Sequence, residues 1–391
     1  MKKSGPKSSR IPVYRDTGFI LDSPSEMSDA FRMENENSRT PHHYIYSRYR
    51  NPTVVAAEEE VMKTEGSEWA LLTQSGMAAI DVALSIFQRG GKSNRWLFSS
   101  EIYGGTIYYI ESVLRARRGI DTPMIEPVDG RISAEILKAE LDRVKPDLFF
   151  FETISNPLLI VADAQQLIEL CKERDIPVIV DNTFATPYLC KPLEMGADIV
   201  VHSATKYLSG HGNLTAGVIC GNNRELMAEA IEYRKHTGHM ISADDAYRFH
   251  TQLQTFPLRF PVQCSNASGL AALLDKSPHT EAVWYPGLRG HVTHQTATKT
   301  FEGRGFGAMV TFSLTGKDEN DKKKRRDIFL EAVSDTIKLV PTLGDPHTIM
   351  MPVEPVWGHK YPDHGMIRVS VGFESWNHLK GCVERGLTAL H

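Results

Sequence analysis

Apolar and polar positions follow two different rhythms along the chain. From about residue 54 to 250, short apolar runs with no internal alternation are separated by segments whose apolar residues recur every three or four positions. The runs WALLTQ (69–74), RWLFSS (95–100), DLFFFET (147–153), IPVIVDN (176–182) and ADIVVHSAT (197–205) read as strands. Between them VAAEEEVMKTEG (55–66), MAAIDVALSIFQ (77–88), SAEILKAELDRV (133–144) and DAQQLIELCKERD (163–175) read as helices. Gly66 is a stop signal for the first, and Ser133 is an N-cap candidate for the third. Strands that are apolar throughout, joined by amphipathic helices, predict an α/β fold: a doubly wound, mostly parallel sheet covered on both faces.

The two ends differ from this middle. Residues 1–53 are polar and rich in turn dipeptides, and read as an extended arm. Past about 255, GAMVTFSL (307–314) and MIRVSVGF (366–373) alternate apolar and polar residues, as half-buried strands do. The segments RDIFLEAVSDTI (326–337) and HLKGCVERGLTAL (378–390) read as helices beside them. The expected organisation is an arm over 1–53, an α/β domain over 54–250 and a smaller C-terminal α+β domain over 251–391. The charge run KDENDKKKRR (317–326) reads as a solvated loop opening a helix.

Composition narrows the function. A chain of 391 residues with 41% hydrophobic and 24% charged residues is ordinary globular material, too long for one small core. A net charge of -4 offers no basic surplus for nucleic acid. No run of about 18 apolar residues predicts a membrane span, and MKKSGPKSSRIPVYRD lacks the apolar core of a secretory leader. Five scattered cysteines without a CxxC pair fit reduced thiols and a cytoplasmic location rather than a disulfide frame or zinc site. His291 and His294 stand three apart with no acid or cysteine pattern beside them, so no metal is expected. GRGFGAM (303–309) leads into a strand and reads as a turn, not a dinucleotide loop.

In α/β sheets ligands bind at the carboxyl ends of the strands, so the residues following each run matter. They are Ser75-Gly76-Met77, Glu152 with Asn156-Pro157, Asp181, and Ser203-Ala204-Thr205-Lys206, all expected along one edge. Together they suit pyridoxal phosphate, which needs an amine for its imine, an acid at its ring nitrogen, an anion site and a flat ring partner. Lys206 supplies the amine and Asp181 the acid. Ser203 and Thr205, two apart in an extended segment, share a face toward the phosphate. Gly76 and Met77 open a helix whose free N–H groups favour an anion, and Tyr103 is a stacking candidate. Singly, each residue is as readily a cap, a turn, a surface lysine or a core tyrosine; the conjunction carries the chemistry. Arg368 lies inside an apolar strand, where its fork suits a substrate carboxylate. An internal ion pair with an acid is the alternative for it.

The stretch VIVDNTFATPYLCKPLEMGADIVVHSATKYLSGHGN (178–213) resembles the cofactor segment of the Cys/Met-metabolism PLP enzymes. YSRYRNPT (46–53), TQSGMAAI (73–80), IYGGT (102–106), ETISNP (152–157) and MIRVSVGFES (366–375) are similar to the same family in the same order. The resemblance implies a fold-type I, aminotransferase-like architecture and dimers paired into a homotetramer. It implies that Lys206 carries the cofactor as a Schiff base and shuttles protons. Asp181 would pair with the pyridine nitrogen, and Gly76, Met77, Ser203 and Thr205 would hold the phosphate. Tyr46 and Arg48 would reach that phosphate from the neighbouring subunit, so the arm would contact a partner. Tyr103 would stack on the ring, Asn156 would contact the ring's phenolic oxygen or the substrate, and Arg368 would clamp the α-carboxylate.

Departures from the family pattern sit at the distal substrate pocket. In VPTLGD (340–345), Pro341 occupies the place of a glutamate used by cystathionine-handling members, and Thr342 replaces a serine on the substrate side. Gly105 stands where efficient methionine γ-lyases carry cysteine, and MPVEPVWGHKYPDHG (351–365) replaces an HPASMTH-like segment. The expected activity is elimination from a sulfur-containing or γ-substituted α-amino acid such as cystathionine or methionine. γ-Replacement on an O-acylhomoserine is the alternative, and a non-catalytic scaffold is the reading from another class. The complete set Lys206, Asp181 and Arg368 argues against a scaffold.

Overall fold

The computed structural model describes residues 9–34, 36–90, 94–128 and 130–391. Its larger sheet has seven strands: β1 (Trp69–Thr73), β2 (Trp96–Ser99), β3 (Met124–Ile125), β4 (Leu148–Glu152), β5 (Val178–Asp181), β6 (Ile199–Ser203) and β7 (Gly217–Gly221). Their spatial order is β1-β7-β6-β5-β4-β2-β3. Successive side chains in a strand point to opposite faces. Here both faces are buried: Leu72, Phe149, Phe151, Val178 and Val180 join one core, and Leu71, Leu148, Phe150 and Ile179 the other. That double burial is why these strands read as continuous apolar runs.

The sheet is mixed rather than wholly parallel. β7, bounded by Gly217 and Gly221, runs antiparallel to both β1 and β6. β1 therefore runs in the same direction as β6, and Thr73 and Ser203 both pair with Gly217. Glu152 pairs with Asp181 one step along. The residues expected at one edge of the sheet do lie there.

A second sheet has the order β10-β11-β12-β9-β8. Its strands are β8 (Thr280–Trp284), β9 (Met309–Leu314), β10 (Lys338–Leu339), β11 (Ile349–Pro352) and β12 (Met366–Ser370). Val310, Phe312, Ile367 and Val369 pack with residues from helices Phe256–Asp275, Glu319–Val333 and Trp376–Thr388. The alternation in β9 and β12 is real, but the expected solvent face is not. Thr311, Ser313, Arg368 and Ser370 are also buried. Thr311 donates to the carbonyl of Pro157 at 2.7 Å, and Ser370 accepts from Gly344 N at 2.8 Å. The polar face is turned toward the larger sheet and its loops instead of toward water.

Two further readings are corrected. The first residues are not simply extended: α1 (Pro24–Glu34) forms within them, and Glu34 pairs with Lys235 of the same chain at 2.9 Å. The charge run 317–326 is mainly helix, because Asp318 caps Glu319–Val333 by accepting from Asp321 N at 2.9 Å. Lys322 in that run bridges Glu281 at 2.5 Å and Asp363 at 3.5 Å, so it ties elements together. The long helix Phe256–Asp275 contains Pro261, a breaker signal that tertiary burial overrides. Among the described residues no helix is long and apolar enough to cross a membrane.

Candidate active site

Lys206 sits in a turn immediately beyond β6. Its amide donates to the carbonyl of Ser203 at 3.1 Å, so the chain has left the extended conformation by Thr205. The expected shared face of Ser203 and Thr205 is therefore not the alternation of a strand. The hydroxyl of Thr205 is bonded to the backbone of Ala216, accepting from its amide at 3.0 Å and donating to its carbonyl at 3.2 Å. Lys206 Nζ donates to Thr342 Oγ1 at 2.7 Å. Burial, followed by the positive charge of Arg368, brings the Lys206 amine down to about 8, against the opposing pull of Asp345.

Asp181 ends β5 and is 8% exposed. Its Oδ1 accepts from the amide of Thr183 at 2.9 Å and from the Thr183 hydroxyl at 2.6 Å. The same hydroxyl accepts from Ser203 N at 2.8 Å, which locks the ends of β5 and β6 together. Burial pushes the Asp181 carboxyl up and the Thr183 hydrogen bonds pull it back. Glu152, on the neighbouring strand, is raised well above the usual carboxylate range by burial and then by Asp181. Its Oε1 accepts from the amide of Tyr103 at 2.6 Å, fixing the loop that carries this half-exposed tyrosine.

The helix α3 (Gly76–Ser85) starts at the same edge. Ser75 caps it by accepting from Ala78 N at 3.1 Å. The amides of Gly76 and Met77 stand in the first turn, where a helix leaves its N–H groups without intrahelical partners. A Cβ on Gly76 would lie 2.8 Å from Ser203 Cβ, so only glycine lets the helix start approach the end of β6. The contact sets the Ser203 hydroxyl beside the helix N-terminus, a cradle suited to an anion.

Arg368 enters from the second sheet and is 4% exposed. Its Nη1 donates to Asn156 Oδ1 at 3.2 Å and its Nη2 to the carbonyl of Thr342 at 3.1 Å. The Trp357 ring covers the guanidinium with its centroid 5.4 Å from Cζ. These partners are neutral, and burial brings Arg368 down to about 10. The internal ion pair held open as its alternative is not what the structure shows among the described residues. Gly344, at φ +87, lets the loop carrying Thr342 lie against the lysine turn: a Cβ there would be 2.7 Å from both Lys206 C and Tyr207 N.

Tyr46 and Arg48 stand apart from this group within the chain. Tyr46 is 40% exposed, and Arg48 donates to the carbonyl of Lys235 at 2.7 Å while lying over the Tyr46 and Tyr49 rings. Thr183 was not singled out from the sequence, although the DNT triplet carries an Asp-turn signal; Glu152 was named among the strand-end residues but given no role. Trp357 lies in the divergent segment 351–365, but nothing there singled out the indole itself. A cavity of ≈ 400 Å³ borders Glu101 and Glu152 but neither Lys206 nor Arg368. The convergence of polar groups, not that hollow, marks the site.

This donor set fits pyridoxal phosphate. It offers a buried amine of lowered basicity, a buried carboxylate, a glycine-opened helix start against a serine hydroxyl, and a half-exposed tyrosine on a pinned loop. Comparisons with known proteins agree. The chain is 33% identical to an L-methionine gamma-lyase of Fusobacterium nucleatum subsp. polymorphum, over 96% of this chain and 93% of that protein. It is 34% identical to a cystathionine beta-lyase of Lactococcus lactis subsp. cremoris, over 89% of each. A crystal structure of cystathionine gamma synthase from Xanthomonas oryzae pv. oryzae superposes with a TM-score of 0.84 at 27% identity, covering 97% of this chain and 93% of that one. The family model described as Cys/Met metabolism PLP-dependent enzyme matches residues 2–388, and the chain belongs to that family, with pyridoxal 5'-phosphate as its cofactor.

Proposed function

We propose that the protein is a carbon–sulfur lyase acting on a sulfur-containing α-amino acid, with Lys206 as the residue that binds the cofactor and moves protons. The observation that supports this most is the junction at Thr342, where the Lys206 amine meets the hydroxyl and Arg368 meets the carbonyl. An amine of lowered basicity thus stands one residue's width from a guanidinium free of any acid partner among the described residues. That spacing suits an α-amino acid whose carboxylate is held while its α-carbon is deprotonated.

When bound, the cofactor supplies an electron sink for the substrate's α- and β-carbons. The protein does the rest. Asp181, through the oxygen not taken by Thr183, keeps the ring nitrogen protonated, since a carboxylate stabilises the cationic form. Ser203 and the amides of Gly76 and Met77 hold the phosphate, and Thr205 would join them by turning its hydroxyl proton away from the Ala216 carbonyl. Tyr103 covers the ring, positioned through Glu152. Arg368 and Asn156 orient the substrate carboxylate, and Trp357 keeps water from the guanidinium. The neutral Lys206 amine carries protons to and from the substrate's α-carbon and its neighbours. Thr342 aims that amine.

We further propose a homotetramer built of dimers, in which Tyr46 and Arg48 of one subunit complete the phosphate site of the next. The exposed Tyr46 on an arm that precedes α2 (Pro52–Glu65) supports a reach to another subunit. The five free, buried cysteines suit a cytoplasmic setting. Assay of the holoenzyme on methionine, cystathionine, homocysteine, cysteine and O-acylhomoserines tests the function. Release of an oxo acid and ammonia with a thiol supports elimination. Formation of a thioether from an O-acylhomoserine and a thiol would replace it with γ-replacement, the activity that the likeness to a cystathionine gamma synthase favours. A colourless protein inert on the whole panel overturns both.

A further inference from the structure

The segment following β11 forms a strap over the substrate side of the site. Val353 is buried and donates through its amide to Met366 O at 3.0 Å, which anchors one end. At the other end Lys360 Nζ lies 2.7 Å from Glu101 Oε1 and 3.3 Å from the carbonyl of Ser100. The Tyr361 hydroxyl donates to Glu101 Oε2 at 3.1 Å. Both oxygens of Glu101 are thereby engaged by the strap. Between the anchors, Trp357 lies over Arg368 and against the backbone of Gly104: a Cβ on Gly104 would be 3.4 Å from its Nε1. Gly104 follows Tyr103, and Gly105 is crowded by the Tyr103 ring.

A substrate whose carboxylate is on Arg368 must therefore extend its side chain beside Tyr103 and Trp357. The wall it meets is aromatic. The carboxylate of that wall, Glu101, is already neutralised by Lys360, so it is poorly placed to receive a second ammonium group. Arg368, already over the indole, would repel a further cation there. Aromatic faces attract the polarisable sulfur of a thioether.

Resting on the proposed function, we infer that Trp357, held by the Lys360–Glu101–Tyr361 clamp, is a specificity-determining residue. It favours amino acids whose side chain ends in a compact neutral thioether over those ending in a second zwitterionic head. It also shields the Arg368–carboxylate pair from water, which strengthens that pair.

The test compares kcat and KM for methionine and cystathionine in the wild-type holoenzyme, Trp357→Ala, Trp357→Phe and Lys360→Met. The wild type should prefer methionine. Trp357→Ala should lose about tenfold in kcat/KM for methionine, chiefly through KM, with the preference over cystathionine narrowed. Trp357→Phe should recover most of the loss, and Lys360→Met should show a smaller loss in the same direction. Should Trp357→Ala fail to bind cofactor, Trp357→Phe and Lys360→Met carry the comparison. An unchanged substrate ratio in variants with a normal cofactor spectrum overturns the inference while leaving the proposed function standing, as does a wild type that prefers cystathionine. A wild type inactive on both substrates removes the reading on which the inference rests.

Discussion

The amine of Lys206 donates to the hydroxyl of Thr342 across 2.7 Å, although 136 positions separate the two in sequence. The larger sheet brings one and the second sheet's loop brings the other. Because Arg368 binds the carbonyl of the same threonine, the reactive amine and the carboxylate-binding cation share a single support.

Burial and Arg368 hold the Lys206 amine down to about 8, and only the neutral amine attacks a carbonyl. Capture of pyridoxal phosphate by the cofactor-free protein should accelerate as pH rises through about 8 and level off above it. An ordinary lysine would keep gaining rate toward about 10.4. Absorbance growth in the visible measures this, and Lys206→Ala should give no borohydride-stable cofactor label and no turnover. A label on another lysine in the wild type would reject the assignment.

Asp181→Asn should fold and bind cofactor yet lose at least about tenfold in kcat, because an amide lacks the charge that keeps the ring nitrogen protonated. Thr183→Val should act in the same direction and more weakly, since it removes one of the two hydrogen bonds to Asp181 from that residue. Steady-state rates together with the cofactor spectrum decide the matter. An unchanged rate in the asparagine variant would make Asp181 a strand-end cap.

Arg368→Lys keeps the charge and loses the fork. Hydrogen bonds to charged groups contribute roughly 1.5–3 kcal/mol each, so losing one should raise KM about tenfold or more. The cofactor spectrum should stay normal, because the cofactor is held by other residues. Equal KM values for every amino acid tested would remove Arg368 from the substrate site.

Mixing inactive Arg48→Ala with inactive Lys206→Ala subunits should restore part of the activity. In a mixed dimer with shared sites, one site carries both defects and the other carries neither. Subunit exchange, followed by mass spectrometry of tagged chains, must accompany the assay; exchange without recovered activity would refute the shared site.

The parts of the fold that could be read in the sequence are those where local and tertiary forces agree. The five strand runs of the larger sheet are apolar because both faces are covered, and their helices have cappable ends such as Ser133, which accepts from Ile136 N. β7 escaped because Gly217 and Gly221 are chosen by close neighbours, Thr73 with Ser75 and Trp69, rather than by strand preference. The helix Phe256–Asp275 escaped because its prolines signal a break, while Arg259, Gln263 and Asn266 bury a polar face against loop carbonyls. In the site, Lys206, Asp181, Gly76 and Ser203 were legible because strand ends concentrate there. The pairing of Thr342 with Lys206 and the cover of Trp357 over Arg368 depend on how two sheets meet, which no local pattern encodes.

Gly344 gives that meeting an evolutionary consequence. Any side chain at this position would strike the backbone of Lys206 and Tyr207. That one position is thus closed to change, whereas the strap is held by side-chain contacts to Glu101 and the carbonyl of Ser100. The molecule sets a sterically fixed bearing beside a more replaceable part, so rewriting residues 354–361 could retune what it consumes without moving the turn that holds its amine.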